Sequence, residues 1–135
     1  AGGNMAGAHE KFVGALGTAA IKVCGLEMGR TGMSEKDAAR LGIDYSTKLV
    51  TANDHPAYYP DPTKLVIKLI YETRTRRLLG ACAAGEKGAV MRADIFAVAI
   101  HAGMTTDELG MVDLAYAPPF AGVWDAVHIA ANAAK

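Results

Sequence analysis

Two apolar runs separated by a short arginine-rich stretch constrain the fold of this chain more than any other feature of its sequence. Lys64 to Tyr71 contains the β-branched and aromatic residues typical of a central strand, and Leu78 to Ala84 is a second apolar run made largely of small residues. The stretch between them, Glu72 to Arg77, predicts the turn of a β-hairpin. Its three arginines predict a solvated edge that resists aggregation, with phosphate binding as the alternative.

The patterns before the hairpin predict two more strands and one short helix. Phe12 to Met28 is apolar and punctuated by glycine, which predicts a buried strand entered and left through turns. Ser34 supplies a side-chain oxygen for a helix start and Asp37 lies three residues on, so a short helix is predicted over residues 35–41. Tyr45 to Val50 alternates weakly and is predicted to be a further strand.

The patterns after the hairpin predict helices. Residues 90–102 are apolar around most of a helical circumference, so this helix must be buried on more than one side. The sheet can cover one side, and a partner chain is the natural candidate for the other. Thr105 and Glu108 form a second capping box, and residues 124–134 predict a last helix. These elements together predict an α+β fold, with an antiparallel sheet of four or five strands and helices packed on one face.

Composition limits the classes of function. The chain has 135 residues, enough for one domain, and its 14 basic and 14 acidic residues give no electrostatic reason to expect nucleic acid or a membrane surface as a partner. The sequence contains no apolar run of about 18 residues and no signal peptide, so a soluble, cytoplasmic protein is predicted. Residues 1–11 are expected to be the tail of a preceding domain that is missing here, followed by one domain over residues 12–135.

The chain shows none of the standard motifs of a free-standing enzyme. Dinucleotide-binding, phosphate-loop, serine-hydrolase and zinc-protease signatures are all absent from the sequence. Cys24 and Cys82 stand alone in apolar runs and are predicted to be buried, reduced thiols. The four histidines form no ligand pair, so they are predicted at the surface or at helix ends, and no metal site is expected.

The stretch from Leu114 to Phe120 is the strongest candidate for a functional segment. Its adjacent prolines, Pro118 and Pro119, fix two φ angles and push the residues before them out of the α region, which predicts a stiff, extended segment. Tyr116 and Phe120 would then be held at its ends and presented to another molecule. The alternative is an ordinary loop between helices with two buried rings.

An ordered set of short motifs covers nearly the whole chain from residue 12. The motifs are Phe12-x-Gly14-x-x-Gly17-Thr18, Val23, Thr31-Gly32-Met33-Ser34-Glu35-Lys36, Ala57-Tyr58-Tyr59-Pro60, Leu79-Gly80-Ala81, Gly85-Glu86-Lys87-Gly88, Arg92-x-Asp94 and Leu114-Ala115-Tyr116-Ala117-Pro118-Pro119-Phe120. Together they resemble the C-terminal dimerisation domain of the pyridine-nucleotide disulfide oxidoreductases. Within that family the resemblance is closest to the branch of coenzyme A disulfide reductases, NAD(P)H oxidases and polysulfide reductases.

The resemblance implies a part of a larger flavoenzyme. Whole members carry an FAD domain, an NAD(P)H domain and this domain in one polypeptide, and their redox cysteine lies in the FAD domain, so neither Cys24 nor Cys82 matches it. FAD and NAD(P)H would be bound by the full-length enzyme and by no part of this fragment alone. The resemblance also implies a homodimer in which one segment lies near the partner subunit's flavin. That segment contains Ala117, Pro118, Pro119 and Phe120.

The resemblance further implies two catalytic tyrosines. In coenzyme A disulfide reductases, two tyrosines of this domain reach the redox cysteine and the bound coenzyme A of the partner subunit. By motif they match Tyr116 and one of the adjacent pair Tyr58 and Tyr59, with Tyr58 slightly favoured and the choice left open. Ala57 stands before the pair where glycine is common in the family. A phenol has an ordinary pKa near 10, so at neutral pH it can donate a hydrogen bond to a sulfur anion.

The predicted function is therefore a dimerisation and active-site-completing domain of an FAD- and NAD(P)H-dependent disulfide reductase. The substrate would be a coenzyme A disulfide or a polysulfide, and the isolated chain would be inactive. One alternative is the same domain from an NAD(P)H oxidase. Another is a stand-alone dimeric interaction or ligand-binding domain, in which one ring of the Tyr58–Tyr59 pair packs in the core and the other lies on the surface.

Overall fold

In a computed structural model that describes residues 2–135, five strands form a single antiparallel sheet. The strands are β1 (Ala19–Val23), β2 (Leu26–Gly32), β3 (Tyr45–Asn53), β4 (Lys64–Glu72) and β5 (Leu78–Gly85). The helices are α1 (Gly2–Met5), α2 (Glu35–Arg40), α3 (Ala89–His101), α4 (Thr106–Leu109) and α5 (Ala126–Ala133). The strand order across the sheet is β1-β2-β5-β4-β3. The predicted α+β class and the antiparallel sheet are confirmed.

The hydrophobic core lies between one face of the sheet and the two long helices. Alternate residues of β4 point to this face, and Leu65, Ile67 and Leu69 are all fully buried there. Helix α3 packs across β2 and β5, and α5 packs across β3 and β4, so Phe96 and Val127 join the same core cluster. The predicted hairpin of β4 and β5 is confirmed, and it occupies the middle of the sheet.

The predicted helices form close to their expected limits because their caps are local. The Ser34 hydroxyl accepts from the Asp37 backbone N–H at 3.2 Å and starts α2, and Thr105 starts α4 in the same way. Helix α5 begins later than predicted, at Ala126, because Asp125 is its N-cap. Within residues 2–135, no helix has the length and apolarity that a membrane span requires.

The single buried strand predicted over residues 12–28 was wrong. Residues 12–18 are irregular, and a hairpin of β1 and β2 follows. Cys24 and Gly25 adopt positive φ angles of 50° and 82°, which reverse the chain where a continuous strand was expected. All five residues of β1 are exposed because β1 is the edge strand.

Both cysteines are exposed, which contradicts the prediction of buried thiols. Cys24 lies in the turn of the β1–β2 hairpin. Cys82 lies on β5 but points away from the helices, toward the face that α3 and α5 leave open, as does its cross-strand neighbour Lys68. An apolar run predicts a strand, but it cannot reveal that the sheet is covered by long helices on one face only.

Apolar side chains remain exposed on two surfaces of the chain. The open sheet face exposes a row of them, namely Ile21, Val23, Leu26, Met28, Leu49 and Val66. Helix α3 was predicted to be buried on more than one side, and within residues 2–135 the sheet buries its inner side while Arg92 is buried against the loops beside it. Met91 and Val98 on its outer side are each 68% exposed.

The arginine-rich turn is less uniformly solvated than predicted. Arg74 is exposed, but Arg76 is half-buried and forms an ion pair with Asp107. The Thr106 backbone N–H also donates to the Arg76 carbonyl oxygen at 2.9 Å. The turn of the β4–β5 hairpin is therefore tied to the start of α4.

One glycine sets how closely α3 approaches the sheet. A Cβ atom at Gly29 of β2 would lie 2.6 Å from the Cβ atom of Ala93 on α3. We expect Gly29→Ala to lower the free energy of unfolding by about 1–3 kcal/mol, because the helix must shift to accept the methyl group. Chemical denaturation of both proteins measures this difference. Gly2→Ala is the control, since a Cβ atom there meets nothing within 4 Å, and equal losses at both sites would contradict the close packing.

Candidate functional site

Two loops meet at one end of the sheet and carry the predicted site residues. The first, residues 54–63, joins β3 to β4, and the second, residues 110–125, joins α4 to α5. Tyr58 of the first loop and Tyr116 of the second line one surface pocket of about 390 Å³. Trp124 and Ile129 lie on the same pocket, so its walls are mainly aromatic and aliphatic. The structure thus brings together two of the predicted tyrosines.

Tyr59 lies on a different surface from Tyr58. Its ring packs edge-on against the His55 ring, with the ring centroids 5.7 Å apart. It lines a separate pocket of about 280 Å³ together with Pro119 and Phe120. Tyr58 is 74% exposed and Tyr59 is 39% exposed, so neither ring is in the core. Of the adjacent pair, Tyr58 is the one that shares a pocket with Tyr116.

The Tyr58 phenol is affected by its neighbour. Its pKa is raised above the ordinary value by desolvation, and further by hydrogen bonding and charge interaction with the Tyr116 hydroxyl. A raised pKa keeps a phenol protonated over a wider pH range, and a protonated phenol is a hydrogen-bond donor. Tyr58 therefore presents a protonated hydroxyl group at neutral pH, beside the hydroxyl group of Tyr116.

The proline segment is a tight turn, which corrects the prediction of an extended arm. The Phe120 and Ala121 backbone N–H groups both donate to the Ala117 carbonyl oxygen, at 2.9 and 3.0 Å. Pro118 and Pro119 therefore stand at the two central positions of the turn, and the chain reverses where both residues were expected to extend it. Tyr116 is 53% exposed and Phe120 is 77% exposed, so the alternative of two buried rings is wrong.

The loop that carries Tyr58 is fixed from its buried side by Asp54 and His55. The Asp54 carboxylate accepts from the backbone N–H of Thr63 at 2.7 Å and from His55 Nδ1 at 3.0 Å. Burial alone would raise the pKa of Asp54, but these hydrogen bonds and the charge of His55 outweigh it and lower that pKa. His55 is buried, which contradicts its predicted place at the surface.

The segment that carries Tyr116 is fixed by His128, in the first turn of α5. The Asp125 backbone N–H donates to His128 Nδ1 at 3.1 Å, so the ring proton lies on Nε2 and donates to the Val112 carbonyl oxygen at 2.8 Å. The Trp124 ring packs edge-on against this imidazole, with centroids 5.7 Å apart. His128 was predicted correctly at a helix end, but it is also buried.

Arg92 lies between the two loops and was not predicted as a site residue in its own right. Its guanidinium donates to the Asp125 carboxylate, with the shortest contact at 2.6 Å, and to the Asp54 carbonyl oxygen at 2.8 Å. The signal that could have revealed it is a single arginine in an otherwise apolar helix, since such a charge is buried only when paired. Asp94, its neighbour in the sequence motif, is exposed.

Among residues 2–135, no three His, Cys, Asp or Glu side chains lie close enough together to hold a metal ion.

Trp124 was not predicted as a site residue, for a different reason from Arg92. It stands at the start of a predicted helix, where an aromatic residue gives no sign of a pocket, and only the tertiary structure places it beside the two tyrosines.

The chain folds as a small α+β domain with exposed aromatic side chains on two loops. Comparison with known proteins assigns it to a family. Residues 18–127 match the dimerisation domain of the pyridine nucleotide-disulphide oxidoreductases, and the chain belongs to this family. The predicted resemblance is confirmed.

Individual relatives agree with this assignment. The chain is 42% identical over all 135 residues to the NAD(P)H sulfur oxidoreductase (CoA-dependent) of Pyrococcus furiosus, covering 30% of that protein. It is 31% identical over 125 residues, 93% of its length, to coenzyme A disulfide reductase of Staphylococcus aureus, covering 28% of it. The structure of an NAD-dependent persulfide reductase from A. fulgidus matches 96% of the chain with a TM-score of 0.91 at 37% identity, over 24% of that protein. The chain thus spans less than a third of these relatives.

The contact between the two phenols can be tested by titration. We expect Tyr116→Phe to lower the pKa of Tyr58 toward the ordinary value near 10, because the neighbouring hydroxyl is removed while the ring remains. NMR of the chain with carbon-labelled tyrosine rings follows the titration. Tyr45→Phe, at the far end of β3, should leave the Tyr58 titration unchanged. A Tyr58 pKa that is the same with and without the Tyr116 hydroxyl would show that the phenols do not interact.

Proposed function

We propose that this chain is the dimerisation and active-site-completing domain of an FAD- and NAD(P)H-dependent reductase of sulfur substrates. In this proposal Tyr58 and Tyr116 act as hydrogen-bond donors in the active site of a partner subunit. The observation that carries it is the convergence of these two exposed phenols on one pocket, from two loops that are each fixed by buried hydrogen bonds.

The chemistry of the pocket suits a sulfur anion. A thiolate or persulfide released when an S–S bond is reduced needs donors that hold their proton at neutral pH, and phenols meet that need. With a partner surface over the pocket, the surrounding aromatic and aliphatic groups would reduce access of water and so strengthen each hydrogen bond. Relatives named as coenzyme A disulfide reductase and CoA-dependent sulfur oxidoreductase support a coenzyme A disulfide or a polysulfide as the substrate.

Both dinucleotides would be held outside this chain. The sheet is antiparallel throughout and lacks the parallel strand–helix–strand unit that binds a dinucleotide pyrophosphate, so residues 2–135 do not fit that role. We infer that FAD and NAD(P)H are bound by upstream domains of the full-length polypeptide, with residues 1–11 as the connection. The exposed turn at Ala117–Phe120 would lie beside the flavin of the partner subunit, on the Tyr59 side of the loops.

A homodimer is supported by the exposed apolar side chains. The outer side of α3 and the open sheet face expose more apolar surface than a monomer of this size usually carries. A dimerisation domain, as the family is described, would cover part of this surface with a second copy. The dimer is also what would bring the two phenols to a redox cysteine, because neither exposed thiol of this chain lines the tyrosine pocket.

Removal of one hydroxyl tests the proposed role. In the full-length enzyme, Tyr116→Phe and Tyr58→Phe should each reduce turnover of the sulfur substrate roughly 10- to 150-fold, since a hydrogen bond to a charged group contributes about 1.5–3 kcal/mol. Flavin reduction by NAD(P)H should be nearly unchanged, as should the dimer. Steady-state and stopped-flow kinetics measure the two steps separately.

Two other tyrosines serve as matched controls for that experiment. Tyr59→Phe removes the hydroxyl of the neighbouring ring, which lies on the other pocket, and Tyr45→Phe removes one remote from both loops. Both variants should retain turnover close to the parent. If Tyr116→Phe and Tyr58→Phe also retain it with every disulfide and polysulfide tested, the two phenols are not catalytic and the proposal fails.

A further inference from the structure

One buried hydrogen-bonded chain connects the two tyrosine loops. It consists of Asp54, His55, Arg92, Asp125 and His128, all of which are buried, and it is called the Arg92 network below. Its centre is the Arg92 guanidinium, which donates through Nε and Nη2 to the two carboxylate oxygens of Asp125 at 3.2 and 2.6 Å. Nη2 also donates to the Asp54 carbonyl oxygen at 2.8 Å, and Nη1 donates to the Gly88 carbonyl oxygen at 3.2 Å.

On one side the Arg92 network ends inside the Tyr58 loop. His55 Nδ1 lies 3.0 Å from the Asp54 carboxylate, and Nε2 lies 3.0 Å from the Pro60 carbonyl oxygen. The His55 ring is therefore held at both nitrogens, by the Asp54 carboxylate and by the Pro60 carbonyl oxygen. The loop is held at residue 54, at residue 60 and, through Thr63, at its far end. Tyr58 lies within this closed span.

On the other side the Arg92 network ends four residues before Tyr116. The Asp125 backbone N–H donates to His128 Nδ1, and His128 Nε2 donates to the Val112 carbonyl oxygen. The same Asp125 carboxylate caps α5 through the Val127 N–H at 2.8 Å. A single residue, Asp125, therefore connects Arg92, through its carboxylate, with the Tyr116 segment, through its backbone N–H and His128.

Each buried carboxylate of the Arg92 network has a partner. Asp125 pairs with Arg92, and Asp54 accepts from the Thr63 backbone N–H and lies 3.0 Å from His55 Nδ1. A buried ion pair is often no more stabilising than well-packed apolar groups, so stability alone is a weak reason for such a set. What the planar guanidinium provides is fixed direction, because its donors fit carboxylate and carbonyl acceptors in one geometry.

We propose that Arg92 is a positioning residue that sets the separation of the Tyr58 and Tyr116 phenols by holding both loops at once. The expected effect of Arg92 on turnover rests on the proposed function, whereas its effect on the positions of the two rings does not. A misplacement of about 1 Å can reduce a catalysed rate about 10²-fold, so a small change in this separation has a measurable effect.

The first test uses this chain without any substrate. With fluorotyrosine at its five tyrosines, Arg92→Lys should shift the fluorine NMR signals of Tyr58 and Tyr116 and leave that of Tyr45 in place. Lysine retains the positive charge, but its ammonium group lacks the planar set of N–H donors with which Arg92 binds both loops. Single Tyr→Phe changes assign the signals. Unchanged signals for both Tyr58 and Tyr116 would overturn the inference.

Two variants complete this test. Arg76→Lys is the matched control, because Arg76 also pairs with an aspartate, Asp107, but lies at the hairpin turn. This variant should shift neither the Tyr58 signal nor the Tyr116 signal. If Arg92→Lys does not fold, Asp125→Asn replaces it, since the Asn oxygen can still cap α5 while the charge that binds Arg92 is lost. The same two signals should then shift.

The second test is kinetic. In the full-length enzyme, Arg92→Lys should reduce sulfur-substrate turnover about 10- to 100-fold and leave flavin reduction by NAD(P)H unchanged. The double variant with Tyr58→Phe should lose less turnover than the product of the two single losses, because Arg92→Lys already displaces the Tyr58 donor. Losses that multiply would show that Arg92 acts independently of Tyr58 and would overturn the inference.

The two tests separate the inference from the proposed function. A full-length parent with no sulfur-reducing activity would contradict the proposed function only, since the fluorine signals decide on the inference without a substrate. Shifted signals in that case would still support Arg92 as the residue that positions the two rings.

Discussion

The inner face of β4 is the surface on which the rest of this structure depends. Leu65, Ile67 and Leu69 are fully buried there, and burial of each such side chain contributes about 1.5–3 kcal/mol. Because β4 is hydrogen-bonded on both edges, its inner row cannot move without moving β3 and β5. Helices α3 and α5 pack on this row from the same side. Their N-terminal ends meet there, where Arg92 of α3 binds Asp125 at the start of α5.

The two tyrosine loops are held by different forces from those that hold the core. Most of the large apolar side chains of the two loops are exposed, so each loop is fixed by directional hydrogen bonds to buried charged or polar groups. Such groups are costly unless they are paired, and here Asp125 pairs with Arg92 and Asp54 pairs with His55. The consequence is a pair of irregular segments with defined shape, which is what a site on loops requires.

The side chains in and beside the two loops divide into buried ones that support the loops and exposed ones that another molecule can contact. His55 and His128 face inward and complete the hydrogen bonds of the loops, while Tyr58, Tyr116 and Phe120 face outward with most of their surface exposed. The lining of the open pocket includes two phenols and no cysteine. Together with the apolar surfaces of α3 and the open sheet face, this arrangement suits a module whose function depends on a second protein surface.

The sequence by itself determined the local elements of this protein. The capping boxes at Ser34 and Thr105 and the hairpin of β4 and β5 depend on residues close together in the chain, and they form as predicted, whereas the single strand predicted over residues 12–28 does not. The sequence motifs also identified the family and the three candidate tyrosines. Each of these signals is contained in a short stretch of residues.

Only the tertiary structure decided which of these residues meet. It placed Tyr58 with Tyr116 and Tyr59 with His55, exposed Cys24 and Cys82, and folded the proline segment into a turn. The sequence could not decide these points because each depends on contacts between residues far apart in the chain. Arg92 and Asp125, 33 residues apart, are joined only because the core brings the starts of α3 and α5 together. Patterns within a short stretch of sequence cannot predict a contact between residues so far apart in the chain.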